Sequence, residues 1–322
     1  QVHAERRSRY TTAIEQLSND KASIRLGGVY TLVGLVDEWL ADEKTIPNIE
    51  ERRKEGQVII NNLCAYIRSP FLLAERTEQL DKPYAKYLQK DFDGDKEKFD
   101  ADKRSFAQDK AALEEERQVR QSIIKEMHEH LHDAEEPGPW SGFDYDFSNA
   151  HFFYPIDFVY SYFGVFSNFS GVTFTQDANF FGATFTQDAN FFEATFTQDA
   201  DFIGAKFTER ADFIGAKFTG YASFFGAKFT GYASFFGATF TQGAYFPRAT
   251  FTERADFSGA IFHSEPSFTD VLGEARFSHK VAPESYSFGV DPDSPCKIEI
   301  EEQEHNGTKF IIPKGTILFD PD

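Results

Sequence analysis

Between Phe147 and Phe268 a Phe recurs at alternating intervals of five and six residues, giving a period of 11. ATFTQDANFFE at 183–193 is followed by ATFTQDADFIG, AKFTERADFIG, two verbatim copies of AKFTGYASFFG, ATFTQGAYFPR and ATFTERADFSG. The beat falls 23 times, and each time it is Phe. The residue two before it is Ala at all 16 beats from Ala178 to Ala260. Earlier copies are looser, with Tyr145, Ile156, Ser161, Ser167 and Val172 in that slot.

A short fixed period signals a solenoid, whose units bury their apolar faces only against their neighbours. Ala and Phe two apart in an extended segment point to the same side. Spacings of five and six do not keep Phe on one helical stripe, and Gly interrupts each period. Each beat therefore reads as a short extended segment with Ala and Phe inward, followed by a corner. The expected core includes Phe180, Phe185, Phe191, Phe196, Phe202, Phe207, Phe213 and Phe218, with Ala178, Ala183, Ala189 and Ala194 beside them. Each buried Phe contributes roughly 1.5–3 kcal/mol before entropy is subtracted.

The motif Ala-(Asp/Asn)-Phe, as in Ala178-Asn179-Phe180 and Ala211-Asp212-Phe213, resembles the pentapeptide-repeat family over about 125 residues. That resemblance implies a right-handed quadrilateral β-helix with four repeats per coil and both Ala and Phe inward. The chain departs from the family pattern in one respect: every second unit has six residues. A four-sided coil then needs 22 residues, with an extra residue at two opposite corners.

The longer corner opens with Thr, from Thr175 and Thr186 to Thr241 and Thr252. A hydroxyl there satisfies corner backbone groups. The shorter corner holds Gly182, Gly204, Gly215, Gly226, Gly237 and Gly259, as expected for positive φ, whereas Glu193 and Arg248 break that rule.

Residues 1–70 read as an α-helical domain, with an amphipathic segment at Tyr10–Leu17 and apolar helices at Ile24–Leu40 and Gln57–Arg68. Gly27 and Gly28 are expected to permit close packing. The words AIEQLSNDKASIRLGGVYTL resemble the helical segment preceding the repeats in many actinobacterial pentapeptide-repeat proteins, where membrane helices often come first. With no initiator Met, the chain reads as a fragment, and the resemblance implies a membrane anchor before Gln1. No run of 18 apolar residues and no signal-peptide pattern is present, and two distant cysteines, Cys64 and Cys296, fit a reducing compartment. A cytoplasmic protein, tethered to the inner membrane face, is the expectation.

Residues 71–139 form a charged helical segment. Phe99, Phe106 and Leu113 lie seven apart, and Val119, Ile123, Met127 and Leu131 four apart, on one amphipathic face. That face suits the helical domain or a partner helix, including a second copy in a homodimer. Residues 140–275 form the β-helix, opened by a wet, aromatic-rich lead-in from Trp140 to Tyr162. The beat fails after Phe268, and 276–322 read as a C-terminal β cap with a hairpin turn at Asn306-Gly307.

Three patterns bear on chemistry. His128-Glu129-His130-Leu131-His132 matches the zinc-hydrolase spacing, with His128 and His132 as ligands and Glu129 as general base. Asp133, the nearby Pro137 and the lack of a third ligand favour a solvated helix end instead. Asp91-Phe-Asp93-Gly-Asp95 with Asp102 approximates a calcium loop, but Gly94 stands at the fourth position rather than the sixth. Thr-Phe-Thr, as at 184–186 and 195–197, suggests an ice-binding ladder, which Lys206, Lys217 and Lys228 interrupt. No cofactor site or catalytic constellation stands out.

The residue after every second Phe forms two apolar ladders at 22-residue spacing: Phe181, Ile203 and Phe225, and Phe192, Ile214 and Phe236. Exposed, each is an interaction ridge; tucked inward, each is added core. Net charge is −19, yet residues 141–280 carry eight basic against fifteen acidic side chains, a balance of only −7. The expected function is a non-catalytic scaffold or protein–protein interaction module. The alternative, implied by the family, is a DNA mimic that binds a type II topoisomerase. Direct nucleic-acid binding is disfavoured by the acidic balance.

Overall fold

A computed structural model describes residues 1–85, 92–133 and 135–322. Among the described residues, five α-helices come first: α1 Val2–Leu17, α2 Ala22–Ala41, α3 Ile49–Arg68, α4 Thr77–Leu80 and α5 Lys96–Leu131. Two compact units cut across α2 and α5. One comprises Gln1–Leu35 with Ser69–Ile123, the other Val36–Arg68 with Ile124–Asp322.

In the first unit α1 and the front of α2 cross closely at Gly28, where a Cβ would fall 2.8 Å from the Ala13 carbonyl oxygen. Gly27 has open space around it, so only one of the two glycines serves close packing. The expected face of α5 is realised here by buried Leu113, Val119 and Ile123, while half-buried Phe99 and Phe106 pack against Tyr84. Glu116 is buried between Arg25, at 3.3 Å, and Arg120, at 2.8 Å. Such a pair holds only with both partners present, since a buried unpaired charge is costly.

The second unit contains the solenoid. As far as Phe262 its strands are two residues long and stack in parallel at an offset of 22, as in Ala189↔Ala211 and Phe185↔Phe207. Four sheets result. The first face carries Tyr145, Ser167, Ala189 and Ala211; the second Thr173, Thr195 and Lys217; the third Ile156, Ala178 and Ala200; the fourth Thr184, Lys206 and Lys228. Five- and six-residue units alternate around the coil, so the two long corners are opposite, as the arithmetic of the sequence required.

The interior is four columns of Phe. Rings one coil apart stack nearly parallel, for example Phe185 on Phe207 at 5.0 Å and 2°. Rings across the coil meet edge to face, as Phe180 and Phe191 do at 5.5 Å and 88°. Both geometries suit the ring quadrupole, at about 0.5–1.5 kcal/mol per pair beyond area burial. All the expected core Phe and Ala are buried.

The lead-in from Trp140 is dry, contrary to expectation. Trp140, Phe143, Tyr145, Phe153 and Tyr154 are buried. The reason is α3, whose Ile59, Ile60, Leu63, Cys64 and Ile67 are buried and which packs on the first two strands. Phe143 lies so close to Gly56 that a Cβ there would come within 2.7 Å of its ring. Trp140 Nε1 donates to Asp37 at 2.8 Å, and His130 stacks on the indole at 4.0 Å.

The beat also outlasts Phe268. Phe277 stacks on Phe251 at 4.9 Å, and Phe288 on Phe257 at 5.7 Å. Only the spacing changes there, because residues are inserted at a corner. Strands Ile300–His305 and Thr308–Pro313 form the expected hairpin, burying Phe310 and Ile312, and Ile317–Phe319 joins the fourth face beside Arg276–Ser278. The fourth sheet is thereby extended by one strand beyond Arg276–Ser278. Among the described residues, no helix is long and apolar enough to cross a membrane.

Candidate functional site

The outer surface is built by the corners. At the short corners from Asn179 to Asp212 the Asp or Asn before Phe turns back on the chain, whereas Ser223 and Ser234 stand in that position before Phe224 and Phe235. Asn179 Oδ1 accepts the Phe181 N–H at 3.0 Å, and Asn190, Asp201 and Asp212 accept from Phe192, Ile203 and Ile214 at 3.0, 2.8 and 3.0 Å. These are Asx turns, which fix a corner without help from the rest of the fold. The next residue takes positive φ: 62° at Gly182 and 64° at Gly204. Glu193 and Arg248 depart from Gly in identity but keep the conformation, at 53° and 58°.

This corner directs the ladder residue away from the Phe core. Phe192 is 39 % and Phe236 50 % exposed; Phe181, Ile203, Ile214 and Phe225 are half-buried. Their cover comes from the outside. Tyr160 meets the Phe181 ring edge to face at 5.4 Å, and the Arg248 guanidinium lies 5.9 Å from the Phe225 centroid. The two ladders occupy opposite short corners, one between the third and fourth faces, the other between the first and second.

The long corners consume polar groups differently. Thr175 and Thr186 hydroxyls donate to the Phe152 and Phe163 carbonyls of the preceding coil, at 3.1 and 3.3 Å. Asp177, Asp188 and Asp199 each accept the N–H of the residue one coil later, at 3.3, 3.2 and 3.0 Å. Farther along, Tyr232 lies between Arg210 and Arg254, whose guanidinium carbons are 5.2 and 4.8 Å from its ring. These carboxylates and cations hold one coil to the next.

The other candidates are placed as follows. His128 and His132 share a helix face, with Nε2 and Nδ1 3.5 Å apart, but His128 Nε2 also meets the Val159 carbonyl at 2.8 Å. Glu129 turns toward Lys125, 3.8 Å away. Among the described residues, no three His, Cys, Asp or Glu converge as metal ligands. Asp91 of the calcium-like loop lies outside the described residues. Asp95 receives the Lys98 N–H at the start of α5, and Asp102 accepts from the Tyr84 hydroxyl. Thr184 and Thr195 fall on different faces, so the Thr-Phe-Thr copies do not line up.

Burial raises the titrations of Cys64 and Asp201. Cys64 is enclosed on the buried face of α3, and burial pushes its thiol up to about 12. Burial likewise raises the Asp201 carboxyl above its ordinary value, opposed by the Ile203 N–H.

Two features were missed in the sequence. The Asx clamp was written in the Asp/Asn before Phe, a position read only as part of the repeat signature. The corner insertion was written in the interval of nine between Phe268 and Phe277.

A family description for pentapeptide repeats, in nine copies, matches residues 180–228 and 224–272. No curated protein and no solved structure matches the chain. The four-sided 22-residue coil, its Phe and Ala core and this match together make the solenoid a pentapeptide-repeat domain.

Proposed function

We propose that the chain is a non-catalytic interaction module whose solenoid edges dock a protein partner. The observation that carries this reading is the pair of apolar ladders at opposite short corners, whose side chains the Phe core does not enclose: Phe192 and Phe236 are exposed and Phe181, Ile203, Ile214 and Phe225 half-buried. The solenoid faces are convex and repetitive, unlike the concave pockets in which substrates are usually held. The test is a capture experiment comparing the wild type with a triple variant, Phe181→Asp, Ile203→Asp and Phe225→Asp, after both are shown to fold. A partner held by the wild type and lost by the variant supports docking on that edge. A partner held equally by both, and also by the matching variant of the opposite ladder, removes the reading.

The topoisomerase-binding DNA mimic draws on the net charge of −19. It is weakened by the balance of only −7 over residues 141–280, where Lys206, Lys217 and Lys228 interrupt the acidic surface. A supercoiling assay separates the two: the module reading expects no inhibition. The membrane tether implied by the resemblance of residues 13–32 is tested by fractionating cells that express the complete gene product. Recovery in the soluble fraction alone would remove it.

A further inference from the structure

The two ladders are equivalent in the repeat, but the chain treats their corners differently. Between the third and fourth faces the corner residues run Phe181-Gly182, Ile203-Gly204, Phe225-Gly226 and Pro247-Arg248. One coil later, six residues stand where two had stood. Phe268 is followed by 269–274, and Ala275 then donates to the Phe268 carbonyl as Ala249 does to that of Phe246. Arg276 pairs with Thr250, restoring the register. The insertion is a small antiparallel hairpin, Thr269–Asp270 with Gly273–Glu274. Asp270 Oδ1 closes its turn by accepting the Leu272 and Gly273 N–H groups. At its tip Val271 is fully exposed and Leu272 is 66 % exposed. Insertions in repeat proteins gather on one face, often the binding face.

Cations flank the same edge. Lys206 and Lys228 are aligned neighbours on the fourth face, both exposed. Among the described residues, no carboxylate lies within ion-pair distance of either, in a chain with 52 acidic residues. Arg248 covers Phe225 and lies against Gly273 at the base of the hairpin. Elsewhere on the solenoid, Arg210 and Arg254 are paired with Asp212 and Asp256.

From this we infer that the edge running from Phe181 through Ile203 and Phe225 to the Val271-Leu272 tip is the docking edge, and that its occupant is an acidic amphipathic helix of a partner protein. The inference rests on the interaction-module reading above. Charge selects an acidic partner. Geometry selects a helix: edge residues repeat every ~4.8 Å, close to the 5.4 Å helical pitch, whereas same-side residues of a strand repeat at roughly 6.6–6.8 Å. The coil backbone also bonds along the solenoid, as Lys206 N–H does to the Ala183 carbonyl, leaving no sheet edge on this side for an added strand.

The test places the photoreactive amino acid p-benzoylphenylalanine, one site at a time, at Val271, Phe225 and Phe236 in the full chain in its own cells. Adducts at 271 and 225 with one protein are expected, mapping to an acidic, amphipathic helical segment. They should be lost in the Lys206→Glu, Lys228→Glu variant. An adduct at 236 alone, an adduct that survives charge reversal, or one to a basic protein segment overturns the inference but leaves the module reading standing; adducts to lipid or nucleic acid alone overturn both. No adduct at any of the three positions overturns both.

Discussion

The Phe180 and Phe202 rings lie 5.0 Å apart and 1° from parallel, one coil above the other. Each is also met edge-on by Phe191, at 5.5 and 5.4 Å. A mid-column ring therefore supports neighbours on three sides. Phe202→Ala should cost about 3–5 kcal/mol, the range for emptying a Phe site in a well-packed core. Denaturant unfolding followed by near-ultraviolet signals checks this. A loss below 1 kcal/mol would mean that the columns close over the gap.

Glu193 holds φ at 53°, where every side chain with a Cβ is strained. Glu193→Gly should raise stability by about 0.5–1 kcal/mol, after subtracting the greater freedom of Gly in the unfolded chain. The melting temperature should rise, and a fall would show that the Glu193 side chain makes a compensating contact.

Asp201 gives a pH signature. Its carboxyl titrates higher folded than unfolded, chiefly through burial. The associated stability is fully present below the ordinary value of 3.8 and lost as pH rises through the raised one. Asp201→Asn keeps the acceptor for the Ile203 N–H without the buried charge. The variant should be the more stable protein at pH 7, and the gap should close as pH falls toward 3.8. A pH-independent difference would contradict this account.

Trp140 and His130 share Asp37 as acceptor, at 2.8 and 3.2 Å. Asp37→Ala leaves the buried indole N–H without that partner and should cost about 1–3 kcal/mol. Adding Trp140→Phe should recover part of the loss, a coupling that a double-mutant cycle measures.

Cys64 should resist alkylation in the folded protein, because burial both shields the thiol and disfavours its thiolate. Iodoacetamide at pH 8 should label Cys296, which is partly exposed, well before Cys64. Equal rates would place Cys64 in contact with solvent.

The solenoid was legible because its signal is short-range and repeated. The alternation of five and six residues, with the four sides that the family resemblance implies, gives a 22-residue coil, and Ala178 through Ala260 sit where the pattern placed them. The ends were harder to read. Nothing local to Trp140 says that α3, some 80 residues earlier, covers it, so the lead-in reads as wet. Phe277 was lost to the same locality, since four extra residues at one corner break the beat without breaking the stack. The ladders were visible as positions, but their half-burial is set by Tyr160 and Arg248, roughly one coil away along the edge.

The 22-residue register makes the length of this protein a quantised trait. Duplicating or deleting 66 nucleotides adds or removes one whole layer and leaves every surface ladder in line. A change of 33 nucleotides, the length encoding one of the identical copies at 216–226 and 227–237, would rotate everything downstream by half a turn. It would leave the Phe columns unbroken while exchanging the two edges. The gene can thus lengthen this ruler freely, but only by even numbers of its 11-residue word.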